Sequence, residues 1–252
     1  MVKRLEDSLD KSLFWALERM QEAGYPVSNK VTLQIDPSLR FMGYAKQDGP
    51  HHIIVMADWA LDSEMIGGFL LHELSHIYHT EKGAASHRTD IIHEVVDEIV
   101  IRDGLTQKET QYLIDAFNHL QNILADDIVF QIMNSEREAK QVQKFFAGWI
   151  SDHPSGDAAL DAALLARNAF AIASLKRRDL FDGIKKEMSA RNKQFLSIMG
   201  GHYEADFKNL VSFLAKARTN WGPGQFRKAL TEYLENIVSI MRRKQESWGD
   251  LR

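Results

Sequence analysis

The sequence has no cysteine. That absence removes disulfides, thiolate metal ligands and cysteine nucleophiles together, and it suits a reducing compartment. Proline is scarce at 5 of 252 residues and glycine stops at 15, so nothing points to collagen-like or disordered chain. There is no basic excess either. The net charge is -4, and the short clusters Arg242-Arg243-Lys244 and Lys176-Arg177-Arg178 read as solvated helix ends, so nucleic acid is not an expected partner. Long apolar runs are missing as well. Met65–Leu71 and Ile53–Met56 fall far short of the ~20 residues a membrane-spanning helix needs. The opening MVKRLEDSLDKSLF lacks the apolar core of a secretory signal. The expectation is a soluble, cytoplasmic protein with no membrane partner.

What is present has a clear order. Leu9, Leu13, Phe14, Leu17 and Met20 are spaced for a helix over residues 5–23, closed by Gly24-Tyr25-Pro26. Val31–Ile35 alternates as a half-buried strand does. Arg40–Lys46 and His51–Met56 read as two more strands, joined by a hairpin around Gln47-Asp48-Gly49. Everything after Asp62 is helical. A long helix covers Ser63–His79, and Ser86 is placed to cap a second over His87–Arg102. A third spans Gln107–Met133. Breaks at Gly148–Gly156, Gly200–Gly201 and Asn220–Gly224 separate the rest. The predicted class is α+β: a small antiparallel sheet and one key helix, followed by a mostly helical C-terminal region. A soft domain boundary falls near residue 150, giving 1–150 and 151–252.

The long helix contains His72-Glu73-Leu74-Ser75-His76, the HExxH pattern. Residues four apart stack on one helix face, so two imidazoles one turn apart can hold one Zn²⁺. Glu73 is turned by about 100° from His72, which lets it reach a zinc-activated water as general base without being a ligand. The competing reading is a polar helix face with solvated histidines. An exposed sheet edge beside such a helix could hold a peptide substrate, and His51–Met56 is the candidate edge.

Catalytic zinc usually takes three protein ligands. His79 is seven residues beyond His72, a rise of ~10.5 Å, too far to share the ion. His87 could fold back, act locally, or serve as an oxyanion donor. Glu94 competes, with seventeen residues between it and His76, although Asp90, Glu94, Asp97 and Glu98 also fit the wet side of a helix. Asp126 is preferred. Asp115, His119, Asn122 and Asp126 form one polar stripe within about 60° of the helix wheel, suited to face the HExxH helix. Asp127 is displaced from that stripe. His119 and Tyr78 are further oxyanion candidates.

The string HELSHIYH, the following Ser86-His87 and the later Asn122-Ile-Leu-Ala-Asp126-Asp127-Ile-Val resemble a family of predicted zinc metallopeptidases found mainly in archaea, over about residues 50–130. The layout around HExxH is similar to the zincin fold. His93-Glu94-Val95-Val96-Asp97-Glu98 resembles the second motif of the gluzincins. The resemblance implies His72 and His76 as zinc ligands, Glu73 as catalytic base, an acid from the later helix as third ligand, and a peptide or protein substrate. Gluzincins with ExxAD carry glutamate where this chain has Asn122, a poor zinc ligand, so either Asp126 takes over or the metal is bound elsewhere. The alternative function is a catalytically inactive zincin-like protein, acting as a zinc-binding or protein-interaction module.

Overall fold

The computed structural model describes residues 2–249, with side chains from 9 to 245. Contacts divide the chain into two compact units: Met1–His87 with Ala125–Ser135, and Arg88–Leu124 with Glu136–Arg252. This differs from a cut near residue 150.

The first unit opens with α1 (Val2–Glu22), whose Leu9, Leu13, Ala16 and Met20 are buried at helical spacing. Then come β1 (Val31–Ile35), β2 (Gly43–Asp48) and β3 (His51–Met56), in the order β1-β3-β2. The sheet is mixed rather than antiparallel as expected: β1 pairs parallel with β3, and β2 pairs antiparallel with it. The cause lies in residues 36–42, which cross the end of β3. Asp36 donates its backbone N–H to Met56, and Ala57 donates to Met42. β2 therefore starts at the end of the sheet where β1 stops, and the hairpin then turns β3 parallel to β1. The same topology makes β3 the central strand, not an edge. Ile54, Val55 and Met56 are consequently almost fully buried in a row. β2 is the free edge on the other side.

After a 3₁₀ turn at Asp58–Asp62, α2 (Ile66–Glu81) runs along the sheet. Its Phe69, Leu70, Leu71, Leu74 and Ile77 join one core with α1, β3 and Ile128, Val129 and Ile132. A second 3₁₀ turn, Ala85–His87, closes this part.

The second unit is helical: α3 (Thr89–Asp103), the first part of α4 (Gln107–Ile132), α5 (Glu136–Gly148), α6 (Ala158–Lys176), α7 (Lys185–Met199), α8 (Tyr203–Ala215) and α9 (Pro223–Gly249). The glycine-marked breaks seen in the sequence fall between these helices. α6 is its centre. Asp157 caps it through the Leu160 N–H at 2.9 Å. Its alanines let neighbouring helices approach, and α8 and α9 both pack on it. α6 is long and apolar enough to cross a bilayer by composition, yet 78% of its apolar window is buried inside the protein. A core helix needs the same composition. The fold is α+β with a small three-stranded sheet.

Candidate metal centre

The centre is built on α2. Its first turn carries Gly67 and Gly68, which allow two neighbours to come close. A methyl group on Gly67 would meet the Trp15 ring at 3.0 Å, and one on Gly68 the Met133 sulfur at 3.2 Å. One turn later His72 and His76 stand on the same face, half-buried, with ring centroids 4.6 Å apart. Their Nε2 atoms face each other at 3.0 Å.

Each ring also has a partner behind it. Asp126 Oδ1 lies 2.7 Å from His72 Nδ1. His87 Nε2 lies 2.9 Å from His76 Nδ1, and His87 Nδ1 lies 3.0 Å from the Ser86 hydroxyl. The local chain explains how His87 gets there. α2 ends at Glu81 with Lys82 as its C-cap, and Gly83 (φ +62°) takes the left-handed conformation that reverses the chain. The Ala84 N–H then bonds the His79 carbonyl at 2.9 Å, so the Ala85–His87 turn folds back on α2. His87 stacks on the buried His79 ring, with centroids 5.0 Å apart.

Glu73 points elsewhere, as its position on the helix wheel requires. It is only 6% exposed, and its Oε2 accepts the Ala45 backbone N–H at 2.7 Å. Ala45 is on β2, whose alternate residues turn their N–H groups away from β3. Glu73 thus takes up an amide on the outer side of the edge strand. Burial pushes its carboxyl up to about 7, against the opposing pull of His72 and the Ala45 N–H, with Asp126 adding to the rise. Burial also pushes His87 down to about 3, helped by His79 and His72, so this ring is neutral at physiological pH.

These residues fit a divalent cation in one respect that can be checked. Two imidazole nitrogens bonded to one tetrahedral zinc at 2.0–2.1 Å stand about 3.3 Å apart. The Nε2 pair, at 3.0 Å, needs to open only slightly. A carboxylate behind one ligand histidine is the usual device for fixing its tautomer. No group of three His, Cys, Asp or Glu side chains among the described residues forms a ready cage.

Of the residues the sequence singled out, the structure brings His72, His76, Asp126 and His87 together, with Glu73 on the adjoining face. Asp126 meets His72 on Nδ1, so in this arrangement it stands behind the ring and not beside the Nε2 pair. Ser86, expected as a helix cap, instead meets His87, and α3 starts at Thr89 with no side-chain cap from Arg88. Glu94 is exposed on α3 and ion-paired with Arg227. His119 leaves the polar stripe: it is buried against Phe170, with rings 4.9 Å apart and 12° from parallel. Asp115 is held by Gln111, and Asn122 and Asp127 are half-buried. Tyr78 packs edge-on against Tyr25.

Two contacts had no sequence signal. One is the Ala45 amide on Glu73, since backbone groups leave no trace in residue identity. The other is Glu81 at the end of α2, which accepts the Ser28 and Asn29 N–H groups at 2.7 and 2.9 Å and faces His52 Nε2 at 3.2 Å. It ties the helix bearing the histidines to the sheet.

Residues 2–218 match a family described as a family of unknown function (DUF5781). No curated protein and no solved structure matches the chain.

Proposed function

We propose that the chain, which belongs to this family of unknown function, is a zinc-dependent hydrolase of peptide bonds. The observation that carries this reading is the pair of Nε2 atoms 3.0 Å apart, each ring backed on Nδ1, beside a buried glutamate. His72 and His76 would hold the ion. Zinc would supply positive charge that polarises a scissile carbonyl and makes water more acidic.

The chain's own groups do the rest. Asp126 holds the His72 proton on Nδ1, leaving Nε2 a lone pair for the cation. This replaces the ligand role expected for Asp126 from the helix stripe. The Ala45 N–H fixes Glu73 Oε2, leaving Oε1 to accept a proton from the attacking water and pass it to the leaving amine. A carboxyl raised to about 7 can both take and release that proton near neutrality. β2 is the edge strand beside the reacting face, so an extended peptide can add to it through the outward groups of Gly43 and Gln47, which alternate in phase with Ala45.

The second reading, a zinc-binding or interaction module without activity, is favoured by one observation: no third donor accompanies the Nε2 pair among the described residues. One experiment separates the two. Purified chain should carry zinc, cleave a peptide library, lose cleavage with a chelator and regain it with Zn²⁺. Zinc retained without cleavage in any peptide would favour the module. Cleavage that persists in Glu73→Gln would remove Glu73 from the chemistry.

A further inference from the structure

We propose that β2 sets the substrate class: Lys46 and the Phe41–Tyr44 ring pair select an extended peptide, antiparallel to β2, with an acidic residue two positions before a large apolar one. This inference rests on the zinc hydrolase reading and deepens it, because the same strand supplies the amide that holds Glu73.

Alternation divides β2 into two sets. Ala45 packs into the core that α2 shares with Ile54 and Met56, and its N–H points outward to Glu73 at 2.7 Å. Tyr44 and Lys46 therefore stand on the opposite face of the sheet, and they turn their backbone groups inward to their partners on β3, Val55 and Ile53. An antiparallel peptide residue added outside either of them forms the non-hydrogen-bonded kind of pair, in which side chains come closest. Residue identity on that face of β2 thus acts directly on the residue opposite.

The chemistry of that face is specific. Tyr44 is 38% exposed and Phe41 55%, with ring centroids 6.1 Å apart, so the two rings offer an apolar shelf. Lys46 is exposed and makes no ion pair among the described residues. A carboxylate opposite it would complete a cross-strand charge pair. Asp48 is the next residue on this face. It lies diagonal to anything opposite Lys46, and diagonal neighbours stand about 7–8 Å apart against about 4.5–5.5 Å for direct ones. The cation therefore dominates at that place.

Antiparallel pairing is the more stable per residue, and it fixes the order. The peptide residue opposite Lys46 comes two positions before the residue opposite Tyr44. The residue between them lies opposite Ala45. Its carbonyl finds the Ala45 N–H already taken by Glu73, and so remains unpaired beside that carboxyl. The acidic and the apolar residue then flank the bond that is cut.

The test uses the full chain and two fluorescent peptides, one with Glu-Ala-Phe and one with Lys-Ala-Phe at its centre. Metal-free wild type should bind the first about 3–10-fold tighter by anisotropy, and the gap should close at high salt. Lys46→Glu should reverse the preference, and the milder Lys46→Ala should abolish it. Tyr44→Ala should weaken both peptides alike. Zinc-loaded wild type should cleave a peptide library in the same acid-x-apolar order, and Lys46→Glu should shift the first place to Lys and Arg. Equal binding of the two peptides by the wild type, or a preference unchanged in both Lys46 variants, would overturn the inference. Zinc-dependent cleavage without that order would also overturn it and spare the hydrolase reading. Discrimination in binding with no zinc-dependent cleavage would remove the hydrolase reading and keep Lys46 and Tyr44 as the selecting residues of a docking edge. A wild type that neither binds nor cleaves overturns both.

Discussion

His76 in the first unit and His119 in the second stand on helices with apolar neighbours, and the two are used in opposite ways. Both ring nitrogens of His76 face other nitrogens, Nε2 to His72 and Nδ1 to His87, within 3.0 Å. His119 lies flat on Phe170 with Trp149 at its edge, and its Nδ1 has no hydrogen-bond partner. Burial, with the Arg167 charge nearby, pushes its ring down to about 3, so it is a neutral aromatic plate. Residue type and helix position therefore do not separate a histidine of the α2 cluster from a core ring. What separates these two is whether both ring nitrogens meet polar partners.

The strongest way to break this contrast is at Glu73. Glu73→Gln should lower kcat by about 10²–10⁴-fold while zinc content stays, measured by peptide cleavage and metal analysis on one preparation. The same variant should be more stable when metal-free. The wild-type carboxyl is raised from 4.5 to about 7, so the stability it contributes is complete below 4.5 and is lost as pH rises through 7. The neutral amide has no such loss. The unfolding free energies of the two proteins should therefore diverge between pH 4.5 and 7, reaching a gap of about 3 kcal/mol in the alkaline range. A parallel pair of curves would show that Glu73 is not held protonated by burial.

Asp126→Asn comes next. The amide can still accept from His72 Nδ1 but brings no charge, and zinc affinity should fall about 10–100-fold by competition titration. An unchanged affinity would mean that Asp126 does not act through His72. Smaller again is Gly43→Ala, which acts on the frame. The added methyl would lie 2.7 Å from the Phe69 ring and closer still to the Val55 carbonyl. Thermal unfolding should register a loss of about 1–3 kcal/mol as β2 is pushed off β3 and α2. The smallest effect belongs to His119→Phe. Replacing a buried ring whose nitrogen lacks a partner with a hydrocarbon ring should leave stability within about 1 kcal/mol or raise it, with zinc binding untouched. A large loss of zinc in that variant would erase the distinction between the two histidines.

The sequence makes some of this legible and hides the rest for physical reasons. β1 and β3 were readable to the residue because alternation and apolar content mark strands directly. The direction of β1 was not, because it depends on how residues 36–42 cross the sheet, and a loop path has no residue period. The edge role read into His51–Met56 failed on the same point. The polar stripe on α4 did carry Asp126 to His72. However, a helix wheel gives the facing side and not the atom that is met, so a partner of Nδ1 and a partner of Nε2 look alike. His119 shared the wheel position and is buried against Phe170 of α6 and Trp149, just past the end of α5. Ser86-His87 read as a helix start because a serine before an apolar run is the common cap. The Gly83 reversal that instead folds them back on His76 is visible as a glycine after a helix, though not where it leads.

The most direct measurement is X-ray absorption at the zinc edge on the purified full chain, with His72→Ala and His76→Ala alongside. One zinc per chain is predicted, with two imidazole nitrogens at about 2.0–2.1 Å and oxygen donors completing the shell, and neither variant should retain it. Zinc bound equally well by both variants, or a wild type that takes up none, would contradict the assignment of His72 and His76 as the seat of the ion.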